Sequence, residues 1–399
     1  MKTIKSIKNL EGKKVLVRVD FNVPINNGEI IDDSRIIASL HTIDYLSSAG
    51  AKVILVAHLG RPDGKVVPTL KLDTVASRVG KLLKMKVKKL ETKDFKLTPA
   101  QLQKLRDEIN EMKNGQVVML ENIRFSPYEK KNTSTLAMDL ASLADIFVLD
   151  GFAVAHRASA SVTGVVKYLP SYAGFLLEQE IHGLQKVLKR PRKPFVAIIG
   201  GIKVSTKAPV IKNLLPKVSN ILIGGGILNT YLKCRGYGVG MSLVDPKCEY
   251  NLEKLAKKRK VILPVDLIVG DNKGRNFRIV QLGKKPHKVC TGHEAIYDIG
   301  PASICLFSGF IKKAQTIVWN GAVGYFEQKP YNIGTLSIAR LVASRSKGRA
   351  YGVVGGGETL QAMEEVKMSQ YIDLISTGGG AMLEFLSGKK LPGIEVLKH

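Results

Sequence analysis

Nine short apolar runs, each ending in a polar or glycine-rich turn, constrain this chain more than any other feature of it. They occupy 15–19, 53–56, 117–120, 146–149, 195–199, 221–223, 317–319, 352–354 and 374–376. They are rich in β-branched residues and show no clean alternation, the pattern of strands covered on both faces. Helix-period segments lie between them. Leu70, Val75, Val79, Leu82 and Leu83 fall on one helical face, and Leu252, Leu255 and Ala256 begin another helix. Alternating strand and helix signals predict an α/β protein with parallel sheets. At 399 residues the chain is long enough for two or three domains.

The division is expected near 170–194. Residues 172–188 read as a helix, with Phe175, Leu176, Leu177, Ile181, Leu184 and Val187 apolar. Lys189-Arg190-Pro191-Arg192-Lys193-Pro194 follows, and its two prolines end the helix and stiffen the entry to the next strand.

The net charge is +27, from 61 Lys and Arg against 34 Asp and Glu. A nucleic-acid partner is one reading of that excess. The charge is spread along the chain, aromatics make up only 6%, and no nucleic-acid module is present, so the composition argues against it. A basic surface that attracts anionic metabolites explains it as well. No apolar run approaches a membrane span, and no signal-peptide core follows Met1-Lys2-Thr3-Ile4-Lys5, so a cytoplasmic location is expected. Cys234, Cys248, Cys290 and Cys305 match no zinc or redox spacing and read as buried or incidental thiols.

The two halves end their runs differently. In open parallel sheets ligands bind at the carboxyl ends of strands. In the first half, Asp20-Phe21-Asn22, His58-Leu59-Gly60-Arg61, Arg124, His156 and Arg157 fall just past strand ends. Arg35 follows an Asn26-Asn27-Gly28 hairpin turn at a helix start. Four arginines at one sheet edge repel each other and want an anion, which the guanidinium fork matches bidentately. A small acid carrying a phosphate satisfies them.

In the second half the turns are glycine-rich. Gly200-Gly201-Ile202-Lys203-Val204-Ser205-Thr206-Lys207 follows a strand, and its two lysines stand four apart, on one face if helical. Gly224-Gly225-Gly226 ends the 221–223 run, and Gly355-Gly356-Gly357-Glu358-Thr359 and Thr377-Gly378-Gly379-Gly380-Ala381 each sit between a strand and a helix pattern. Free amides at a helix start form an anion site. Glu358 is a candidate for a metal bridging nucleotide phosphates, against a plain helix-dipole carboxylate. Glu327 is a candidate acceptor for ribose hydroxyls, against a surface residue. An arginine-lined half and a phosphate-cradling half together describe phosphoryl transfer. A dehydrogenase is disfavoured, because no Gly-x-Gly-x-x-Gly follows the first strand.

The ordered set Arg18-Val19-Asp20-Phe21-Asn22, Asp32-Asp33-Ser34-Arg35, His58-Leu59-Gly60-Arg61-Pro62, Leu120-Glu121-Asn122-Ile123-Arg124-Phe125, Ala155-His156-Arg157-Ala158, Gly200 through Lys207, Val318-Trp319-Asn320-Gly321, Gly355 through Thr359 and Ser376 through Ala381 resembles the phosphoglycerate kinase family, nearly end to end. The resemblance implies two Rossmann-like parallel-sheet domains joined by a long helix and hinge. A phosphoglycerate-binding domain would span 1–170, the linker 171–193 and a nucleotide-binding domain 194–378, with the tail 379–399 packing back on the first. It implies 3-phosphoglycerate or 1,3-bisphosphoglycerate and ADP or ATP as ligands, magnesium as cofactor, and a monomer.

By position, Asp20, Phe21, Asn22, Arg35, His58, Leu59, Gly60, Arg61, Arg124 and Arg157 would line the phosphoglycerate site. Arg35, Lys203, Lys207 and Gly378, Gly379 and Gly380 would serve the transferring group. Gly200, Gly201, Lys207, Gly225, Glu327, Gly355, Gly356, Gly357, Glu358 and Thr359 would hold the nucleotide, with Glu358 toward the metal. The sequence departs from the family at Glu358, where Asp is usual, and at Ser159, where a substrate-site histidine is usual. Thr206 stands for an Asp and Ala322 for a Pro.

Overall fold

The computed structural model describes residues 1–92, 94–246, 258–283 and 285–398. The chain divides into two compact units, Met1–Ile181 with Lys390–His399, and His182–Lys389. The helix start expected at Leu252, Leu255 and Ala256 lies outside the described residues.

In the first unit, β1 (Lys14–Arg18) leads through the hairpin β2 (Ile25–Asn26) and β3 (Glu29–Ile30) to helix α1 (Ser34–Ser48). Strand β4 (Lys52–Val56), α2 (Asp73–Leu83), β5 (Lys88–Leu90), α3 (Pro99–Asn110), β6 (Val117–Leu120), α4 (Ser134–Ala141), β7 (Ile146–Leu149) and β8 (Ser171–Ala173) follow. The six longer-range strands form one parallel sheet in the order β5-β6-β4-β1-β7-β8. The chain lays β4, β5 and β6 on one side of β1, then crosses to β7 on the other. That makes the β1/β7 boundary a switch point, where a parallel sheet opens a crevice beyond its strand ends. Val15, Leu16 and Val17 are fully buried, as the lack of alternation requires.

Helix α5 (Phe175–Lys189) crosses the division between the units. It starts later than the expected 172, because Ser171–Ala173 pairs with β7 as an edge strand. Asp150, at the end of β7, anchors its first turn. Its Oδ1 accepts from Thr42 Oγ1 at 2.8 Å and from the Leu176 amide at 3.0 Å. Burial pushes that carboxyl up to about 6.

The second unit opens with β9 (Phe195–Ile199), α6 (Val204–Leu214), β10 (Asn220–Ile223), α7 (Gly225–Cys234) and β11 (Val261–Ile262). An antiparallel sheet of β12 (Asp266–Gly270), β13 (Phe277–Gln281) and β14 (Ala295–Ile299) intervenes. Then come α8 (Pro301–Ile311), β15 (Thr316–Asn320), α9 (Ile333–Ser346), β16 (Tyr351–Gly355), α10 (Gly357–Glu365), β17 (Leu374–Ser376) and α11 (Gly379–Leu386). The parallel sheet runs β11-β10-β9-β15-β16-β17. Numbered along this sheet, that is the 3-2-1-4-5-6 order of dinucleotide-binding folds, with its switch point between β9 and β15. The fold is α/β, with two six-stranded parallel sheets in two domains. The short α12 (Pro392–Glu395) belongs to the first unit, where the Gly393 amide donates to Ala155 O at 2.8 Å.

No helix among the described residues is long and apolar enough to cross a membrane. Cys290 is buried and free and Cys305 exposed and free. Cys234 is disulfide-bonded, so the reading of incidental thiols fails there.

Candidate active site

Every strand of the first sheet that ends near the switch point delivers a polar turn. Arg35, in the first turn of α1, donates from Nη1 to Asp20 Oδ2 at 2.6 Å. Asp20 Oδ1 is buried with no hydrogen-bond partner. Gly60 is tied at both backbone groups: its amide donates to Asn22 Oδ1 at 2.8 Å and its carbonyl accepts from Arg124 Nη1 at 2.7 Å. One turn thus gathers Asn22, Gly60 and the buried Arg124. Arg61, next to Gly60 in sequence, and Arg157 are exposed, and Arg157 Nε donates to His156 Nε2 at 3.2 Å.

Two predicted residues serve the scaffold. The Phe21 side chain is wholly inside the core cluster. Leu59 is also in that core, and Asn122 uses both its backbone groups, accepting from its amide at 3.2 Å and donating to its carbonyl at 2.8 Å.

His58 is buried, with Nδ1 3.2 Å from Arg18 Nη2 and 3.8 Å from Asp20 Oδ1. Burial, then the charges of Arg18, Arg157 and Arg35, push its pKa well below the ordinary histidine value. The imidazole is neutral at pH 7.

In the second unit, the β9 and β15 turns meet closely. A Cβ on Gly200 would overlap the carbonyl oxygens of Gly321 and Ala322, so only glycine fits there. The Gly200 amide donates to Asn320 O at 3.0 Å and the Gly201 amide to Ala322 O at 2.9 Å. Beside this contact lies a cavity of about 380 Å³, to which Gly201, Gly225, Tyr297, Glu327 and Glu358 contribute. Lys207, in the second turn of α6, is buried and donates from Nζ to Asn320 Oδ1. Burial lowers it to about 8, opposed by the Glu358 carboxylate. Lys203 instead caps the start of α6 and is exposed, so the expected pair divides between solvent and interior.

Thr359 is buried and accepts from the Gly321 amide at 2.7 Å, which ties the β16 turn to the β15 turn. Gly357 and Glu358 open α10, with Gly355 ending β16 and Gly356 at the N-cap. Gly378 caps α11. Its carbonyl takes the first bonds from Ala381 and Met382, ahead of which stand the Gly379 and Gly380 amides. A Cβ on Gly357, Gly379 or Gly380 would meet nothing within 4 Å, so these turns face open space.

Among the described residues no three acidic, histidine or cysteine side chains gather into a metal cage. Magnesium needs none: it takes one or two carboxylates with nucleotide phosphates and waters. Glu358, exposed at the cavity and 3.4 Å from the Ala322 amide, is a donor of that kind.

Sequence reasoning passed over Asn320, Arg18 and Glu129 as functional residues. Asn320 ends β15 and holds Lys207, a role its strand-end position signalled. Arg18 and Glu129 are buried and meet through Ser161 and Ser159, far away in sequence, so no spacing pairs them.

A family model described as phosphoglycerate kinase matches residues 4–389. The phosphoglycerate kinase of Pelotomaculum thermopropionicum is 44% identical over 403 residues, covering 99% of this chain and 98% of the relative. That of Moorella thermoacetica is 45% identical over 409 residues with the same coverage. Among solved structures, phosphoglycerate kinase from Coxiella burnetii superposes with TM-score 0.82 at 38% identity, over 99% of this chain and 98% of that one. The enzyme from Pyrococcus horikoshii does so at 0.85 and 31%, over 100% and 98%. The chain belongs to the phosphoglycerate kinase family and has its activity, that of the glycolytic kinase EC 2.7.2.3.

Proposed function

We propose that this chain carries a phosphoryl group reversibly between 1,3-bisphosphoglycerate and ADP, giving 3-phosphoglycerate and ATP, with magnesium on the nucleotide. The first unit holds the phosphoglycerate through Asp20, Asn22, Arg35, His58, Gly60, Arg61, Arg124 and Arg157. The second holds the nucleotide through the turns at Gly200–Gly201, Gly225 and 355–359, with Glu327 toward the ribose. The observation that carries this division is the buried Lys207, whose side chain stands next to Gly201, a residue of the switch-point cavity of the second sheet. Burial disfavours the lysine's charge, and an anion meeting it there offsets that cost.

Phosphoryl transfer needs positioning and charge neutralisation more than covalent help. Arg35 and Lys207 supply charge to the transferring group, Lys203 adds to the field, and Gly378, Gly379 and Gly380 offer backbone donors. Glu358 would hold magnesium, which when bound neutralises phosphate charge. The protein acts as a cytoplasmic monomer, with no nucleic-acid partner.

Trp319 tests the division. It is the single tryptophan, buried at the end of β15, and its Nε1 donates to Gly321 O at 2.9 Å. Magnesium–ADP should change its fluorescence and 3-phosphoglycerate alone should not. A response to 3-phosphoglycerate alone, with none to ADP, would reverse the assignment.

A further inference from the structure

We propose that Glu129, gripped by Ser159 and Ser161, anchors the buried Arg18, and that Arg18 fixes His58 as a neutral imidazole whose Nε2–H is offered to the phosphoglycerate. The last step rests on the substrate assignment above. The rest stands on hydrogen-bond polarity alone.

An arginine can only donate. The 3.2 Å contact from Arg18 Nη2 to His58 Nδ1 therefore needs a lone pair on Nδ1. The single proton of a neutral imidazole must then sit on Nε2. Asp20 Oδ1, at 3.8 Å from Nδ1, is too far to compete for an Nδ1 proton. Burial and three nearby guanidiniums, those of Arg18, Arg157 and Arg35, keep the second proton off.

Arg18 is itself 2% exposed and must be held. Its Nε donates to Ser161 Oγ at 2.8 Å, and its Nη1 donates to Val19 O. The Ser161 hydroxyl, having accepted from Arg18, gives its own proton to Glu129 Oε1 at 2.6 Å. Ser159 Oγ donates to the same oxygen at 2.7 Å, and the Ser161 amide to Oε2 at 2.9 Å. Each hydrogen in the chain thus has one direction, running from Arg18 toward Glu129 on one side and toward His58 on the other. The charges of Glu129 and Asp20 oppose the loss of the Arg18 proton that burial favours. Ser159, which stands where the family usually has histidine, serves this anchor. These four residues are positioning residues: they act on the reaction through His58.

The test uses the full chain with isotope-labelled histidine. Long-range proton–nitrogen spectra report the tautomer of His58, and His58→Gln identifies its signal. We expect one neutral Nε2–H form at pH 7, with no protonation through the ordinary histidine range. Ser161→Ala, which removes the acceptor for Arg18, should bring in the Nδ1–H or the charged form. It should also raise KM for 3-phosphoglycerate about tenfold, leaving KM for ATP unchanged. Ser161→Thr keeps the hydroxyl and should restore both. An Nδ1–H or charged His58 in the parent protein overturns the proposal. So does a KM change in Ser161→Ala with the His58 signature untouched, which marks a merely structural serine. If the signature moves in Ser161→Ala but 3-phosphoglycerate never perturbs His58, the positioning chain stands and the substrate assignment fails.

Discussion

Arg35 Nη1 donates to Asp20 Oδ2 across 2.6 Å, while the other Asp20 oxygen is buried without a partner. The carboxylate thus aligns the arginine and keeps half of its bonding capacity unused. Asp20→Asn removes the charge but keeps the shape. It should lower kcat about tenfold or more by loosening Arg35. KM for 3-phosphoglycerate should stay level or fall, because the site becomes more positive. Steady-state kinetics decide it; a raised KM with kcat intact would make Asp20 a plain binding group.

Lys207 gives the site a pH dependence. In the free protein its pKa is about 8, below the ordinary 10.5. Above about pH 8 the free enzyme loses that charge, so kcat/KM for nucleotide should fall there. Glu358 opposes the lowering, so Glu358→Gln should move the alkaline limb to lower pH. An alkaline limb that does not move would separate the two residues electrostatically.

The same burial costs stability. The unfolded chain binds more protons at Lys207 than the folded one between about pH 8 and 10.5, so stability rises with pH across that window. Below it the penalty is present in full. Lys207→Met should therefore raise Tm at pH 7 in the ligand-free protein, measured by calorimetry, while losing activity. A lowered Tm would mean that the bond to Asn320 outweighs desolvation.

Glu358 offers a longer carboxylate than the Asp usual in the family, at the open start of α10. Glu358→Gln should weaken the apparent magnesium affinity and lower turnover with the fold intact. Full activity on chelation of magnesium, or unchanged magnesium dependence in the variant, would reduce Glu358 to a helix-start residue.

All nine apolar runs became strands of the two parallel sheets, because burial on both faces leaves an uninterrupted apolar signal. Two of the strands that were missed lack that signal. Lys88–Leu90 is two-thirds lysine, and Phe277–Gln281 is mostly exposed on an antiparallel edge. Strand-end positions of Asp20, Asn22 and Gly200 were legible for the same reason as the strands. The fates of side chains were not. Lys203 and Lys207 share a spacing, yet one caps a helix in solvent and the other is buried against Asn320. Arg18 meets Ser161 across 143 residues, a closure that only the folded sheet makes.

Arg35 and Lys207 are proposed to act on the phosphoryl group in flight. The direct measurement is turnover alongside ligand dissociation constants in Arg35→Ala and Lys207→Ala, with 1,3-bisphosphoglycerate and magnesium–ADP. Donors to developing charge act mainly on rate, so kcat should fall by about 100-fold or more in each while both dissociation constants change severalfold at most. Near-normal kcat with raised KM in either variant would contradict it.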